Sequence, residues 1–340
     1  MILVCGGLAD IVTELVCSRL QSMKTPYRLL DLGRFPEGFE IEWTWNGSDV
    51  AGFVRTNDWT LDLASVTGVF VRYLGMDGHA PFSNLPSGHE NAALGEGQSG
   101  LVALLETMTC PVANRASVSM SNCSKPYQAL LVRESGLLTP PTLVTNDPDA
   151  ALRFFEECGR EVIFKSLSGV RSMVRRLDEH DLERLPLLRH GPAQFQKFLP
   201  GDNIRVHTIG PNAIATRIRS GAVDYRYATK QGSEADLEPA ELPPTVVDSC
   251  VRLSQRMGLL LAGIDLKETL DREYFCFEVN PSPGFAYYEQ HTGQPISAAI
   301  AEVLRRGREA QIENNGGDVW NEPSPNTRSP SDHQQFVPQP

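Results

Sequence analysis

Residues 274–284 read Tyr-Phe-Cys-Phe-Glu-Val-Asn-Pro-Ser-Pro-Gly. The apolar run marks a strand, and side chains two apart on a strand point to the same face. Glu278 and Asn280 therefore stand side by side at the strand end. Upstream, residues 260–266 read Leu-Leu-Ala-Gly-Ile-Asp-Leu, a second apolar strand carrying one carboxylate. The short connection from Glu268 to Arg272 predicts that the two runs pair as a hairpin, which brings Asp265 to Glu278 and Asn280. Two carboxylates and an amide oxygen suit a hard cation such as Mg²⁺, which binds few protein carboxylates and takes its remaining ligands from water and phosphate. The pattern points to nucleotide chemistry.

The rest of the chain narrows the class. Its 340 residues allow two or three domains with a substantial core. A formal net charge of −11 argues against broad electrostatic binding of nucleic acid, although a local basic groove stays compatible with it. No apolar run approaches a membrane span, and Met1–Gly7 lacks the basic region of a signal peptide. The seven cysteines, at 5, 17, 110, 123, 158, 250 and 276, are scattered and include no C-x-x-C. They read as packed free thiols in a reducing cytoplasm. The seven histidines do not cluster with them, so zinc has no support.

Periodicity sets the organisation. Residues 2–5, 27–31 and 68–72 read as short apolar strands, with helical spacing over 11–22: an α/β start with a parallel sheet. Residues 74–88 read as a loop and 89–108 as a helix. A helix is expected from Ser124 to Gly136, an extended segment over 139–145 where Pro140-Pro141 forbids helix, and a helix after Asp147-Pro148. Strands follow at 161–165 and 171–176, then a polar helical stretch over 178–190 and an extended segment over 194–199. Residues 204–209 and 213–218 form a hairpin around Gly210-Pro211-Asn212. An amphipathic helix covers 244–257 and a last one 296–306. Beyond 314 the Asn, Gly, Ser, Pro and Gln composition predicts a disordered tail.

Several positions carry candidate chemistry, each with a plainer alternative. Lys165 closes a strand and precedes Ser166-Leu167-Ser168-Gly169, a loop able to offer N–H and hydroxyl groups to the anion that the lysine attracts. It can equally be a solvated strand end. Lys125 stands at a helix start, which also favours an anion, or is a surface lysine. Gln194-Phe195-Gln196-Lys197-Phe198-Leu199 is an extended segment on which a purine could lie, or an ordinary interdomain strand. Arg205, Arg217, Arg219 and Arg226 form a dense arginine set whose forks match carboxylate or phosphate, or a solvated sheet face. Gly95 to Gly100 fits G-x-G-x-x-G, but the residues before it look helical and no acid stands about twenty positions on, so a dinucleotide site is not expected. Gly6-Gly7 reads as a structural turn or a substrate-binding loop. No P-loop and no hydrolase G-x-S-x-G occurs.

The order of these features resembles the ATP-grasp superfamily, and more narrowly the RimK-like ligases. The stretch from Lys125 to Asp147 and Phe164-Lys165-Ser166-Leu167-Ser168-Gly169 are similar to the graspetide, or microviridin-type, peptide maturases. The resemblance covers about residues 110–306. It implies an α/β (α+β) ATP-grasp fold: an N-terminal pre-ATP-grasp α/β domain (1–115), a central lobe or lid (116–193), a C-terminal lobe with the Mg²⁺ site (194–307) and a tail (308–340).

The resemblance also implies a mechanism. Lys125, Lys165, Ser166, Ser168 and Gly169 would hold the phosphates of ATP. Gln194, Gln196, Lys197, Phe198 and Leu199 would hold adenine. Asn203 occupies the place where an acid often holds the ribose. Asp265, Glu278 and Asn280 would bind one or two Mg²⁺ ions, with Mn²⁺ as a substitute. A substrate carboxylate attacks the γ-phosphorus to give an acyl phosphate and ADP, and an amine or alcohol then displaces phosphate. Arg205, Arg219 and Arg226 would serve the acyl phosphate or substrate carboxylate, since charge stabilisation is the main lever of phosphoryl transfer. The implied partners are ATP, a carboxylate and an amine or hydroxyl acceptor, including a precursor peptide, in a cytoplasmic homo-oligomer without nucleic acid or membrane. The alternatives are a small-molecule amino-acid ligase of the RimK type and a non-catalytic ATP-binding regulatory module.

Overall fold

The computed structural model describes residues 1–7, 9–34, 38–46, 49–72, 89–119, 124–167, 174–220 and 235–307. The expected loop over 74–88, most of the Lys165 loop (including Ser168 and Gly169), Arg226 and the tail lie outside the described residues.

The N-terminal unit begins with β1 (Ile2–Gly6), α1 (Ile11–Ser22) and β2 (Tyr27–Asp31). A hairpin sheet follows: β3 (Phe39–Asn46), β4 (Asp49–Thr56) and β5 (Thr60–Asp62). Then come β6 (Gly68–Val71), α2 (Glu90–Thr107) and β7 (Val112–Ala113). The main sheet, ordered β2-β1-β6-β7, is parallel throughout. A parallel sheet is covered on both faces, and the alternation along β1 shows it: Ile2 and Val4 pack with Val12, Val16 and Leu20 of α1, while Leu3 and Cys5 pack with Leu101, Leu104 and Leu105 of α2. Gly6 is required where α1 meets the sheet, since a Cβ there would lie 2.4 Å from Thr13 Oγ1. That favours the structural reading of Gly6. Gly95 to Gly100 lies inside α2 and does not open it, so it lacks the strand-to-helix setting of a dinucleotide fingerprint.

The short α3 (Ala116–Ser119) and α4 (Lys125–Glu134) come next, α4 capped by Ser124 with Pro126 in its first turn. The central sheet contains β8 (Thr142–Thr145), β9 (Val162–Lys165), β10 (Arg175–Arg176) and β11 (Ala193–Lys197), ordered β10-β9-β11-β8. Between these strands lie α5 (Pro148–Glu157), capped by Asp147, and the one-turn α6 (Glu179–Leu182), extended by a 3-10 turn over 185–190. One face, with Val162 and Phe195, packs on Ala151 and Phe155 of α5. Gln194 pairs with Lys165 and Gln196 with Ile163, so these four side chains share the other face.

The C-terminal sheet has five antiparallel strands: β12 (Gly201–Ile209), β13 (Asn212–Ser220), β14 (Ala235–Ala240), β15 (Leu261–Thr269) and β16 (Tyr274–Asn280), ordered β14-β13-β12-β15-β16. The predicted hairpin is β15–β16. One face, with Ile204, Val206, Ile264 and Leu266, packs on Cys250 and Leu253 of α7 (Pro244–Arg256). Val132 and Leu137 join this core, so residues around α4 pack on the C-terminal sheet. The helices α8 (Ala286–Thr292) and α9 (Ile296–Arg306) return to the N-terminal unit, with Ile300 and Leu304 of α9 in one core with Val12 and Val16.

Arg72, buried and paired with the half-buried Asp10, ties the N-terminal unit to the loop after β16. Arg72 Nε donates to Asp10 Oδ2 (3.1 Å), while Nη1 donates to Ser282 O (3.1 Å), Ser282 Oγ (3.0 Å) and Pro283 O (3.4 Å). Burial raises the Asp10 pKa, but hydrogen bonds from Arg72 and Thr13 and the Arg72 charge outweigh it and hold the carboxyl below its ordinary 3.8. A depressed carboxyl contributes stability that is present above its unfolded pKa and lost as pH falls through the folded value. Asp10→Asn keeps the acceptor that caps α1 and removes the charge. It should cost about 2 kcal/mol at neutral pH and make the difference from wild type shrink below pH 4. Urea unfolding at pH 7 and pH 3 measures both.

Candidate active site

The sheet register explains how the predicted ligands meet. Asp265 on β15 directly opposes Glu278 on β16, and Gly263 opposes Asn280. Asn280 Nδ2 lies 3.3 Å from Asp265 Oδ2. The ladder slips by one residue at Asp265–Leu266, because Leu266 pairs with Cys276 and Phe277 is left as the extra residue of a bulge. Phe277 and Glu278 both line the same cleft.

Side chains from outside the sheet hold this strand end. Gln128 of α4 donates to Val279 O (2.9 Å) and accepts from Val279 N (3.1 Å), acting as one more rung of the ladder. Asn114 accepts from Leu260 N (2.9 Å) and Leu261 N (3.1 Å) and donates to Leu261 O and Pro281 O. With the Arg72 contacts, the backbone on both sides of Asn280 is fixed by buried side chains.

Arg205 on β12 opposes Asp265, and its Nη1 donates to Asp265 Oδ1 at 2.6 Å. The guanidinium, 7% exposed, lies across Gly263, where a Cβ would stand 2.1 Å from Nη2. Beyond it His207 is fully buried, edge-on to Tyr288 with ring centroids 5.0 Å apart. Burial, and secondarily the Arg205 charge, push its pKa well down, so it stands neutral beside the arginine.

The cleft lies between the polar faces of the central and C-terminal sheets. Ile163, Lys165 and Gln196 line one wall, Asn203, Asp265, Lys267, Phe277 and Glu278 the other, and Phe198 and Leu199 lie at the connection between them. Lys165 is 7% exposed, and Gln196 is 4% exposed with Nε2 donating to Thr142 Oγ1 (2.9 Å). Gln196 Oε1 is buried without a partner among the described residues. The arrangement sets a buried cation and an amide acceptor across from two carboxylates, with aromatic and aliphatic surface between.

Seven of the expected site residues thus line one cleft: Lys165, Gln196, Phe198, Leu199, Asn203, Asp265 and Glu278. Arg205 and Asn280 join it through Asp265. Gln194 shares the Lys165 face but does not line the cleft, and Lys197 takes the opposite face with Phe195. Lys125 is the first residue of α4 and Ser166 follows β9; neither lines the cleft. The structure separates Arg219 from Arg205. Arg205 pairs with Thr216 across β12–β13, so Arg217 and Arg219 point to the other face. There Arg219 Nη2 meets Glu238 at 2.7 Å, and Arg217 bridges Asp202 (2.7 Å) and Glu268 (2.6 Å). The two-residue turn Gly210-Pro211 fixes this parity and was the available signal. Sequence reasoning also missed Phe277 and Lys267. Lys267 stands two residues past Asp265, a spacing that a hairpin reading alone could have used.

Known proteins resemble this chain in sequence and in fold. Residues 125–304 match the RimK-like ATP-grasp domain. The chain is 26% identical over 220 residues to the alpha-aminoadipate–LysW ligase LysX of Sulfurisphaera tokodaii, covering 62% of this chain and 75% of that protein. It is similar in structure to the ATP-grasp ligase PsnB, solved with a phosphomimetic variant of a minimal precursor, Mg and ADP (TM-score 0.74, 28% identity, 89% of this chain and 97% of that one). A RiPP-associated ATP-grasp ligase of Chryseobacterium gregarium, in complex with ADP and a leader and core peptide, shares the fold (TM-score 0.77, 23% identity, 89% and 96% covered). More than half of the chain falls within the family match, and that match spans the hairpin, the cleft and the helices behind it: the chain belongs to the RimK-like ATP-grasp family and is an ATP-grasp ligase.

Proposed function

We propose that this ligase uses ATP and Mg²⁺ to activate a carboxylate as an acyl phosphate and joins it to an amine or hydroxyl, with a ribosomal precursor peptide as substrate. The observation that carries this reading is the directly opposed Asp265–Glu278 pair, joined to Asn280 and facing the buried Lys165 across one cleft. Like charges placed opposite each other on a sheet destabilise it; Arg205 pairs with Asp265 alone, and a bound cation would offset Glu278 as well. Two carboxylates and an amide oxygen fit Mg²⁺. Bound there, the ion would neutralise phosphate charge.

The chain's own groups account for the remaining roles. Gln196 offers an acceptor, Oε1, to an exocyclic amine of the base, and the Phe198–Leu199 segment offers apolar surface. Lys165, buried in the cleft wall, would take a phosphate. Arg205, held over Gly263 beside Asp265, would take charge on the transferred phosphoryl group or the substrate carboxylate. A carboxylate oxygen bonds to the γ-phosphorus as the bond to ADP breaks; the acceptor nitrogen or oxygen then bonds to the acyl carbon, phosphate leaves and the acceptor loses its proton. The peptide reading draws on the precursor, leader and core peptides bound to the two ligases of similar fold. A reducing, cytoplasmic setting is consistent with Cys5, Cys17, Cys158, Cys250 and Cys276 standing as free thiols, of which burial pushes Cys5 and Cys250 up to about 12.

Incubation with MgATP and short peptides carrying Glu or Asp together with Thr, Ser or Lys tests this. The expected result is peptide-dependent formation of ADP and phosphate and a product one water lighter per bond. ADP formation with free glutamate and with none of the peptides would overturn the peptide assignment.

A further inference from the structure

The wall that the C-terminal sheet gives to the cleft carries four polar side chains among the described residues: Asp265, Glu278, Asn203 and Lys267. Asp265 and Glu278 form one cross-strand row. Asn203 and Lys267, directly opposed on β12 and β15, form the next row toward Phe198. Alternate residues along a strand are about 7 Å apart. A nucleotide with its base at Phe198–Leu199 and its phosphates near Asp265 therefore sets its sugar over the Asn203–Lys267 row.

The carboxylate nearest to that row is already engaged. Asp202 precedes Asn203, and Arg217 on the other face holds its Oδ2 at 2.7 Å. Lys267 is partly buried, its ammonium lies 5.7 Å from the centroid of the Phe198 ring, and among the described residues it forms no ion pair. Its head thus lies toward the base end of the cleft. Asp202 acts on this ammonium only through its charge and Phe198 through its ring, so its N–H donors stand available to a ligand in the cleft.

We infer that Lys267, together with Asn203, holds the two ribose hydroxyls of the nucleotide, the ammonium donating to a hydroxyl oxygen and the amide of Asn203 taking a hydroxyl proton. This rests on the nucleotide reading above and assigns the sugar to a cation and an amide, with no carboxylate. It makes Lys267 a specificity residue for the sugar.

The test is a cycle of wild type and Lys267→Met, each titrated calorimetrically with MgADP and with the Mg²⁺ complex of 2′,3′-dideoxy-ADP. A hydrogen bond from a charged donor is worth roughly tenfold or more in affinity. Lys267→Met should therefore weaken ADP about tenfold and leave the dideoxy analogue unchanged, and Lys267→Arg should recover part of the loss. An equal loss for both nucleotides would overturn the assignment, because Lys267 would then act on the base, the phosphates or the fold. No loss for either would also overturn it. A wild-type protein that binds neither nucleotide would overturn the nucleotide reading itself, a result distinct from both.

Discussion

Glu278→Gln should abolish most turnover while leaving a folded protein that is no less stable than wild type. Glu278 stands directly opposite Asp265, two like charges on one pair of strands. Arg205 pairs with Asp265, but among the described residues Glu278 forms no ion pair, so removing its charge should leave the unfolding midpoint unchanged or slightly raised. Catalysis should respond in the opposite sense. Losing one preorganised charge-stabilising group typically costs about 10²–10³ in rate, and a carboxylate that holds the cation should reach at least that. Measured together, ADP release and thermal unfolding separate the two effects. A variant that keeps wild-type turnover, or that loses activity only because it unfolds, would contradict the role given to this side chain.

Gly263→Ala should have the next largest effect, although the residue touches no substrate. Its backbone lies in a regular strand and accepts any side chain, so alanine is not strained there. The obstacle is Arg205, whose Nη2, Cζ and Nε would lie 2.1, 2.5 and 2.8 Å from the new Cβ. Arg205 is 6% exposed, between Gly263 and Tyr288, and has little room to yield. The guanidinium must leave Asp265, and the site loses the cation placed beside its carboxylates. We expect turnover to fall about a hundredfold and stability by about 1–3 kcal/mol, with ADP binding retained. The double variant Gly263→Ala/Arg205→Met should be no slower than Arg205→Met alone, because both changes remove the same group. Additive losses in that cycle would show that Gly263 acts by another route.

These residues also show how far a chain can be read before its structure is known. The β15–β16 hairpin was legible because its apolar runs, its short connection and its two-residue spacing of Glu278 and Asn280 all encode the same strand pairing. The parallel N-terminal sheet was legible for a similar reason: strands buried on both faces are continuously apolar. The β3–β4–β5 sheet was missed although Glu40-Ile41-Glu42-Trp43 alternates; its glutamates break the continuous apolar run by which the other N-terminal strands stand out. β14 was missed because Pro239 and two acids interrupt it at a sheet edge. The arginine set exposes a different limit. Periodicity shows that Arg217 and Arg219 share a face, but which face depends on the register that a turn imposes on the neighbouring strand. Phe277 reaches the cleft only through a bulge, and Lys267 matters because Arg217 occupies Asp202, a pairing between residues 15 apart. Neither follows from local pattern.

The most direct measurement is an anomalous difference map from crystals grown with ADP and Mn²⁺ in place of Mg²⁺. The account predicts a manganese peak bounded by Asp265, Glu278 and Asn280, with ADP between the central and C-terminal sheets and its adenine against Phe198 and Leu199. A manganese peak away from those three side chains, or ADP outside that cleft, would contradict it.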